Sequence, residues 1–318
     1  MNFLMIHGIN FDEDHDPNYY DAWFTAITEG LKSANYTKPI VADPKTNSIR
    51  YNAIFDKYSD NPEVYAAAVG ELLADWAWHS IFGPSPRTQY LKKPEQPPDD
   101  TFSLRWTAGM VAQWIVEEKL RKDCCETVFQ AIKRTTPDII FAHSLGSLLV
   151  YDFLLNDPRA QKSFNGIFVT FGSQIGNAFV MDSMWGGEVR ELKNVKAWYS
   201  LYNCYDIVFV EPIECFADNY MQFMISPPFG TGSWYNFDGH QATHGDGKDG
   251  DVYPGYLDNS TTDSILWPLL ADGTTASLYR KRIEMVKRVS NKFPSRFSLL
   301  SLPSSKGKKQ IQFQRQPK

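Results

Sequence analysis

Residues 138–154 constrain the fold more than any other stretch of the chain. Asp138-Ile139-Ile140-Phe141-Ala142 reads as a short strand that is apolar without alternation from Ile139 on. After His143-Ser144 it passes directly into Leu145-Gly146-Ser147-Leu148-Leu149-Val150-Tyr151-Asp152-Phe153-Leu154. A short strand with no polar face is buried on both sides, the condition of a parallel strand inside a covered sheet. The apolar helix that follows at once must then lie on a face of that sheet, so the segment predicts a strand–turn–helix unit of an α/β protein.

Other segments follow the same pattern. Residues 2–6 hold a second apolar run, unbroken from Phe3 to Ile6 and ending at His7-Gly8. Tyr19, Tyr20, Trp23, Phe24, Ile27 and Leu31 recur at spacings of three and four and predict a helix over 18–33. Residues 48–55 alternate and read as a strand. Residues 166–171, closed by Gly172-Ser173, and 195–202 read as further strands. Helices are expected at 261–271 and at 275–293, the latter through Leu278, Ile283, Val286 and Val289. Strands alternating with helices predict a mostly parallel central sheet flanked by helices.

Between about 60 and 120 the pattern becomes helical. Val64, Ala68, Leu72, Leu73 and Trp76 form one stripe and Trp106, Met110, Val111 and Trp114 another. Pro84, Pro86, Pro94, Pro97 and Pro98 mark a loop between them. This reads as a helical insertion, either a lid over a cleft or an ordinary pair of packing helices. A third helix runs through Val128 and Ile132. The organisation expected is one main domain over 1–303 and a tail over 304–318.

Charge narrows the partners. The chain carries a net charge of −5, and the tail holds Lys306, Lys308, Lys309, Arg315 and Lys318 with no acid, which leaves −10 for residues 1–303. An acidic body argues against nucleic acid as a partner, because phosphate binding needs a basic surface. The basic tail reads as a disordered, solvated end, with contact to an anionic membrane or nucleic acid as the alternative. Four cysteines, Cys124, Cys125, Cys204 and Cys215, show no metal-type spacing and suggest a reducing compartment. The N-terminus lacks signal-peptide character, and no run approaches the roughly 20 apolar residues that cross a bilayer. A cytoplasmic protein is the expectation.

Chemistry concentrates at Ala142-His143-Ser144-Leu145-Gly146. A serine on a sharp strand-to-helix turn needs small residues two before and two after it, and Ala142 and Gly146 supply them. The turn lifts the hydroxyl above the sheet edge at a helix N-terminus, where the backbone N–H of Leu145 can stabilise an oxyanion. Metal sites are not expected. The acids of Asp246-Gly247-Lys248-Asp249-Gly250-Asp251 miss the calcium-loop spacing, and Asp12, Glu13, Asp14, His15 and Asp16 read as a solvated turn.

Residues 3–8 (FLMIHG), 139–147 (IIFAHSLGS), 171–173 (FGS) and 202–208 (YNCYDIV) together resemble α/β-hydrolases of the lipase and esterase kind, over about residues 1–300. The resemblance implies a Ser–acid–His triad in that chain order and no cofactor. It implies that the residue after His7-Gly8, Ile9, supplies a second oxyanion N–H beside that of Leu145, with Gly8 and His143 lining the substrate site. His7 itself is expected to order the loop. The acid falls on Asp206 in an Asp-x-Val turn, with Glu211, Glu214 and Asp218 as weaker rivals. Two histidines follow it, His240 and His244. The family pattern places the base just before a Tyr and a helix, which leans toward His244, but the intervening 245–255 departs from the pattern and keeps His240 open. The expected reaction is hydrolysis of a small to medium, partly apolar carboxylic ester through an acyl-enzyme. Thioester cleavage, acyl transfer and a catalytically inactive binding module are the alternatives.

Overall fold

The computed structural model describes residues 1–8, 19–58, 70, 101–203, 206, 211–225, 240–243, 245–246 and 252–273. The strands of its main sheet are β1 (Phe3–Ile6), β2 (Ser48–Ile49), β3 (Ile139–His143), β4 (Ile167–Phe171), β5 (Ala197–Tyr202) and β6 (Tyr220–Met224). Their order is β2-β1-β3-β4-β5-β6, and every pairing is parallel. The protein is therefore α/β with an all-parallel six-stranded sheet. A separate antiparallel pair, Gly245–Asp246 with Val252–Tyr253, lies outside it.

Period-two alternation divides the core into two layers. Leu4, Ile6, Ile140, Ala142, Phe168, Trp198 and Tyr220 face one way, while Phe3, Met5, Ile139, Phe141, Val169, Tyr199, Leu201, Met221 and Phe223 face the other. Both sets are buried, which explains why these strands show no polar face in sequence. Helix α1 (Tyr19–Ser33) covers the second face with Tyr20, Trp23, Ile27 and Leu31, joined by Leu266, Trp267, Leu269 and Leu270. Leu266 ends a π-helical turn, Thr262–Leu266, and the other three belong to the short helix Trp267–Ala271. Gly30 is where α1 meets that helix, since a Cβ there would lie 2.3 Å from Trp267 Nε1.

The first face is covered by helices at Thr101–Val116, Glu118–Thr135, Ser144–Asn156 and Ala178–Trp185. Each large apolar side chain they bury contributes about 1.5–3 kcal/mol relative to exposure. Of the expected insertion, the described helix Thr101–Val116 buries Ala108, Val111 and Trp114 in this core. The helical stripe at 64–76, the proline-rich loop, the helix at 275–293 and the tail at 304–318 lie outside the described residues.

Two segments differ from the sequence expectation. Residues 48–55 are not one strand: pairing stops after Ile49, and Asn52–Phe55 is a helical turn. Tyr51 causes the break. Its hydroxyl sits 2.8 Å from the carbonyl oxygens of both His7 and Gly8, and its ring stacks on His7 with centroids 4.5 Å apart. Phe55 is then buried four residues on, a helical spacing. Conversely, β6 was absent from the pattern of expected strands. Among the described residues no helix is long and apolar enough to cross a membrane. Cys124 and Cys125 are free thiols, the first buried, and Cys215 is buried and in no disulfide.

Candidate active site

In a sheet of this order the chain reverses its direction of growth between β1 and β3, and the crevice beyond the strand ends at that switch point is where open α/β sheets place ligands. The singled-out residues gather there. Gly8 lies just past β1, Ser144 just past β3, and Asp206 four residues past β5.

Ser144 has φ +49°, a left-handed conformation uncommon for a non-glycine residue and costing about 1–3 kcal/mol where the surroundings impose it. The preceding His143 is extended, with φ −105° and ψ 142°, and the helix begins at once. Two glycines make the sharp turn possible. A Cβ on Gly8 would stand 2.4 Å from Ser144 Cβ and 3.0 Å from its Oγ, and a Cβ on Gly146 would stand 2.2 Å from the His7 carbonyl oxygen. The second small position sought in the sequence is thus needed for close approach between the elbow and the end of β1. Leu145 carries one of the first N–H groups of its helix, which intrahelical bonding leaves without a partner. Ile9 lies outside the described residues.

The His7-Gly8 backbone is fixed from two sides. The Tyr20 hydroxyl accepts from the His7 N–H at 3.0 Å and donates to the Ile49 carbonyl at 2.6 Å, while Tyr51 serves the two carbonyls. His7 is fully buried against these tyrosines.

The histidine that meets the acid is His240. Its Nδ1 lies 2.7 Å from Asp206 Oδ2, with the Asp206 side chain fully buried and that of His240 13% exposed. His244, toward which the sequence leans, lies outside the described residues. A carboxylate only accepts, so Nδ1 of His240 carries a hydrogen, and it is the Nε2 of the neutral tautomer that would hold a free lone pair. The same Oδ2 accepts from the Tyr256 hydroxyl at 2.8 Å, and that hydroxyl accepts from the Asn203 N–H at 3.1 Å. Tyr256 also anchors the histidine loop through its main chain. Its N–H donates to Gln241 O and the N–H of Leu257 to Ala242 O. Among the rival acids, Glu214 and Asp218 are exposed and Glu211 half-buried.

His143, expected to line the substrate site, lies beside His240 with its ring turned inward. The residue is 5% exposed, and its ring is held by Phe171 (5.2 Å), Trp23 (5.9 Å) and His240 (4.5 Å). Its Nε2 meets the His240 carbonyl oxygen at 2.7 Å and so carries the hydrogen of that bond. Burial, then the neighbouring His240, push its pKa well below the ordinary imidazole value, so it remains neutral. The reason for the inward turn is steric: Gly172, at φ +57°, leaves just enough room for both imidazoles, and a Cβ there would lie 3.0 Å from His143 Nε2 and 3.1 Å from His240 Cε1.

The Ser144 hydroxyl is held by a residue the sequence pattern did not single out. Gln174, fully buried, donates from Nε2 to Ser144 Oγ at 3.1 Å. Among the described residues no hydrogen bond joins Ser144 to His240 in this state. The one available signal was positional. Gln174 follows the Gly172-Ser173 end of β4, the neighbour of the serine strand, and the ends of adjacent parallel strands share one crevice.

Against known proteins, no family model, no curated protein and no solved structure matches the chain.

Proposed function

We propose that this chain is a serine hydrolase of the α/β-hydrolase type that cleaves carboxylic esters, with Ser144 as nucleophile, His240 as general base and Asp206 as its orienting acid. The observation that carries the reading is the buried 2.7 Å pair of His240 Nδ1 and Asp206 Oδ2 beside a serine at positive φ on a strand-to-helix elbow. The pair fixes the tautomer whose free Nε2 accepts a proton.

In the proposed cycle His240 Nε2 takes the Ser144 proton as Oγ attacks the ester carbonyl. The Leu145 N–H, and that of Ile9 in the family pattern, receive the oxyanion. His240 then returns the proton to the departing alcohol, and water, activated by the same histidine, hydrolyses the acyl-enzyme. Catalytic hydrogen bonds often tighten only on substrate binding, which accounts for a resting serine not yet bonded to its base. The substrate class proposed is a small to medium, partly apolar ester, and thioester cleavage or acyl transfer would use the same groups.

One observation favours a non-catalytic ligand-binding module instead: among the described residues no hydrogen bond joins the Ser144 hydroxyl to His240. Hydrolysis of short and medium p-nitrophenyl esters by wild type and Ser144→Ala separates the two readings. Wild-type turnover abolished in the variant supports the hydrolase. No turnover, together with no labelling by a fluorophosphonate, leaves the binding module.

A further inference from the structure

We infer that Gln174 is a catalytic residue of this site, the donor that orients the Ser144 hydroxyl and stabilises negative charge as it develops on Oγ. The inference rests on the serine-hydrolase reading above.

Three observations support it. First, the contact is to the reacting atom itself: Nε2 of Gln174 lies 3.1 Å from Ser144 Oγ, and both side chains are almost wholly buried. Second, the direction of the bond matters. A primary amide nitrogen only donates, so Oγ must accept, and the single hydroxyl hydrogen is left free to point elsewhere. An acceptor in that position would take that hydrogen and withhold it from His240. Third, the loop carrying Gln174 is tied at every turn. Ser173 Oγ meets Ser147 Oγ at 2.6 Å and accepts from the Ile175 N–H at 3.2 Å. The carbonyl of Gln174 accepts from the Asn177 N–H at 3.0 Å, and Asn177 Oδ1 caps the next helix at Val180. Gly176 lets the loop pass under the 211–212 backbone, where a Cβ would stand 2.4 Å from the Pro212 carbonyl oxygen. Such ties fix a donor before the reaction begins, and a fixed donor at a developing charge is worth far more than a mobile one.

The loop therefore aims one amide at one oxygen. During acylation Oγ loses its proton to His240 as it bonds to the electrophile, and during deacylation Oγ departs with its electron pair and regains a proton from His240. Gln174 opposes the build-up of charge in both directions without exchanging a proton itself.

The test is the second-order rate of covalent labelling by a fluorophosphonate, measured across pH. In that reaction the Ser144 Oγ–P bond forms, the P–F bond breaks, fluoride leaves and the serine proton passes to His240. Two variants are used, Gln174→Met, which keeps the length and removes the donor, and Gln174→Glu, which keeps the shape and supplies an acceptor once ionised. Both are checked for folding by their thermal midpoints. The expected result is a loss of about tenfold or more in labelling rate for Gln174→Met at all pH values, in the direction found when a donor at a developing oxyanion is removed. For Gln174→Glu the loss should deepen with pH as the carboxyl ionises. Labelling of a folded Gln174→Met or Gln174→Glu protein at the wild-type rate, with Ser144→Ala unlabelled, would overturn the role of Gln174 and leave the hydrolase reading intact. A wild type that is not labelled at all would overturn both.

Discussion

Replacing Asp206 by Asn isolates the charge of the acid from its geometry. Oδ2 of the carboxylate accepts from His240 Nδ1 at 2.7 Å and from the Tyr256 hydroxyl at 2.8 Å. An asparagine can set its carbonyl oxygen in that position and keep both of these donors while giving up the negative charge. A unit charge about 4 Å from a newly formed imidazolium stabilises it by about 4 kcal/mol at an effective dielectric near 20. Spread over a transition state in which proton transfer is partial, this corresponds to a loss of roughly 10²–10³ in kcat. The flipped amide would be worse, since its NH2 would force the histidine hydrogen onto Nε2. Stability should change little, because an amide is easier to bury than a carboxylate. The assay is kcat on a p-nitrophenyl ester alongside thermal unfolding. A folded Asp206→Asn protein within about fivefold of wild type would mean that the charge does not act on His240 in the rate-limiting step.

Three further predictions concern the scaffold. Ser144→Gly relieves the positive φ and should stabilise the protein by about 1 kcal/mol in urea unfolding while abolishing activity, and a loss of stability would show that the Gln174 bond outweighs the strain. Gly146→Ala drives a methyl to 2.2 Å from the His7 carbonyl oxygen, a backbone atom with little room to move. A cost of about 1–3 kcal/mol is expected in the same assay, and an unchanged midpoint would contradict the close approach. His143 contributes to pH dependence because burial makes its folded form harder to protonate than its unfolded form, whose pKa is 6.5. Its contribution to stability is full above that pH and is lost as pH falls below it, at up to about 1.4 kcal/mol per pH unit until the folded ring titrates. His143→Gln should remove one proton's worth of that slope in denaturant titrations between pH 7.5 and 5.5, and an identical slope would refute the assignment.

What could be read from the sequence follows from what each residue's neighbours demand. Strands β1, β3, β4 and β5 are legible because both of their faces are buried, which leaves unbroken apolar runs. The elbow is legible because a sharp strand-to-helix turn restricts side-chain size at positions close along the chain. Asp206 is picked out by its Asp-x-Val turn just past the strand at 195–202, a feature of the resemblance, and it is fully buried against His240. The end of β2 was misjudged because the hydroxyl of Tyr51 is claimed by carbonyls 43 and 44 residues away, a contact that no local alternation records. Strand β6 escaped notice for a related reason: Gln222 looks like a break in an apolar run, but its Oε1 accepts from the Ile213 N–H at 2.7 Å within a ladder that continues past it. Gln174 and Tyr256 were invisible as site residues because their partners, Ser144 and Asp206, lie 30 and 50 residues off. The inward turn of His143 likewise depends on His240, 97 residues on.

The alternation within β3 has a consequence for how this site could be altered in evolution or by design. Along Ile139–His143 the odd positions face the layer of α1 and the even positions face the opposite layer, and the helix led by Ser144 leaves the strand in step with that alternation. The aim of the hydroxyl is therefore a matter of parity. Inserting or deleting one residue ahead of Ala142 would exchange Phe141 for a small side chain on the aromatic side and swing the serine to the wrong side of the sheet. Change can come freely to the loops beyond the strand ends, but the strand beneath the serine tolerates only whole pairs.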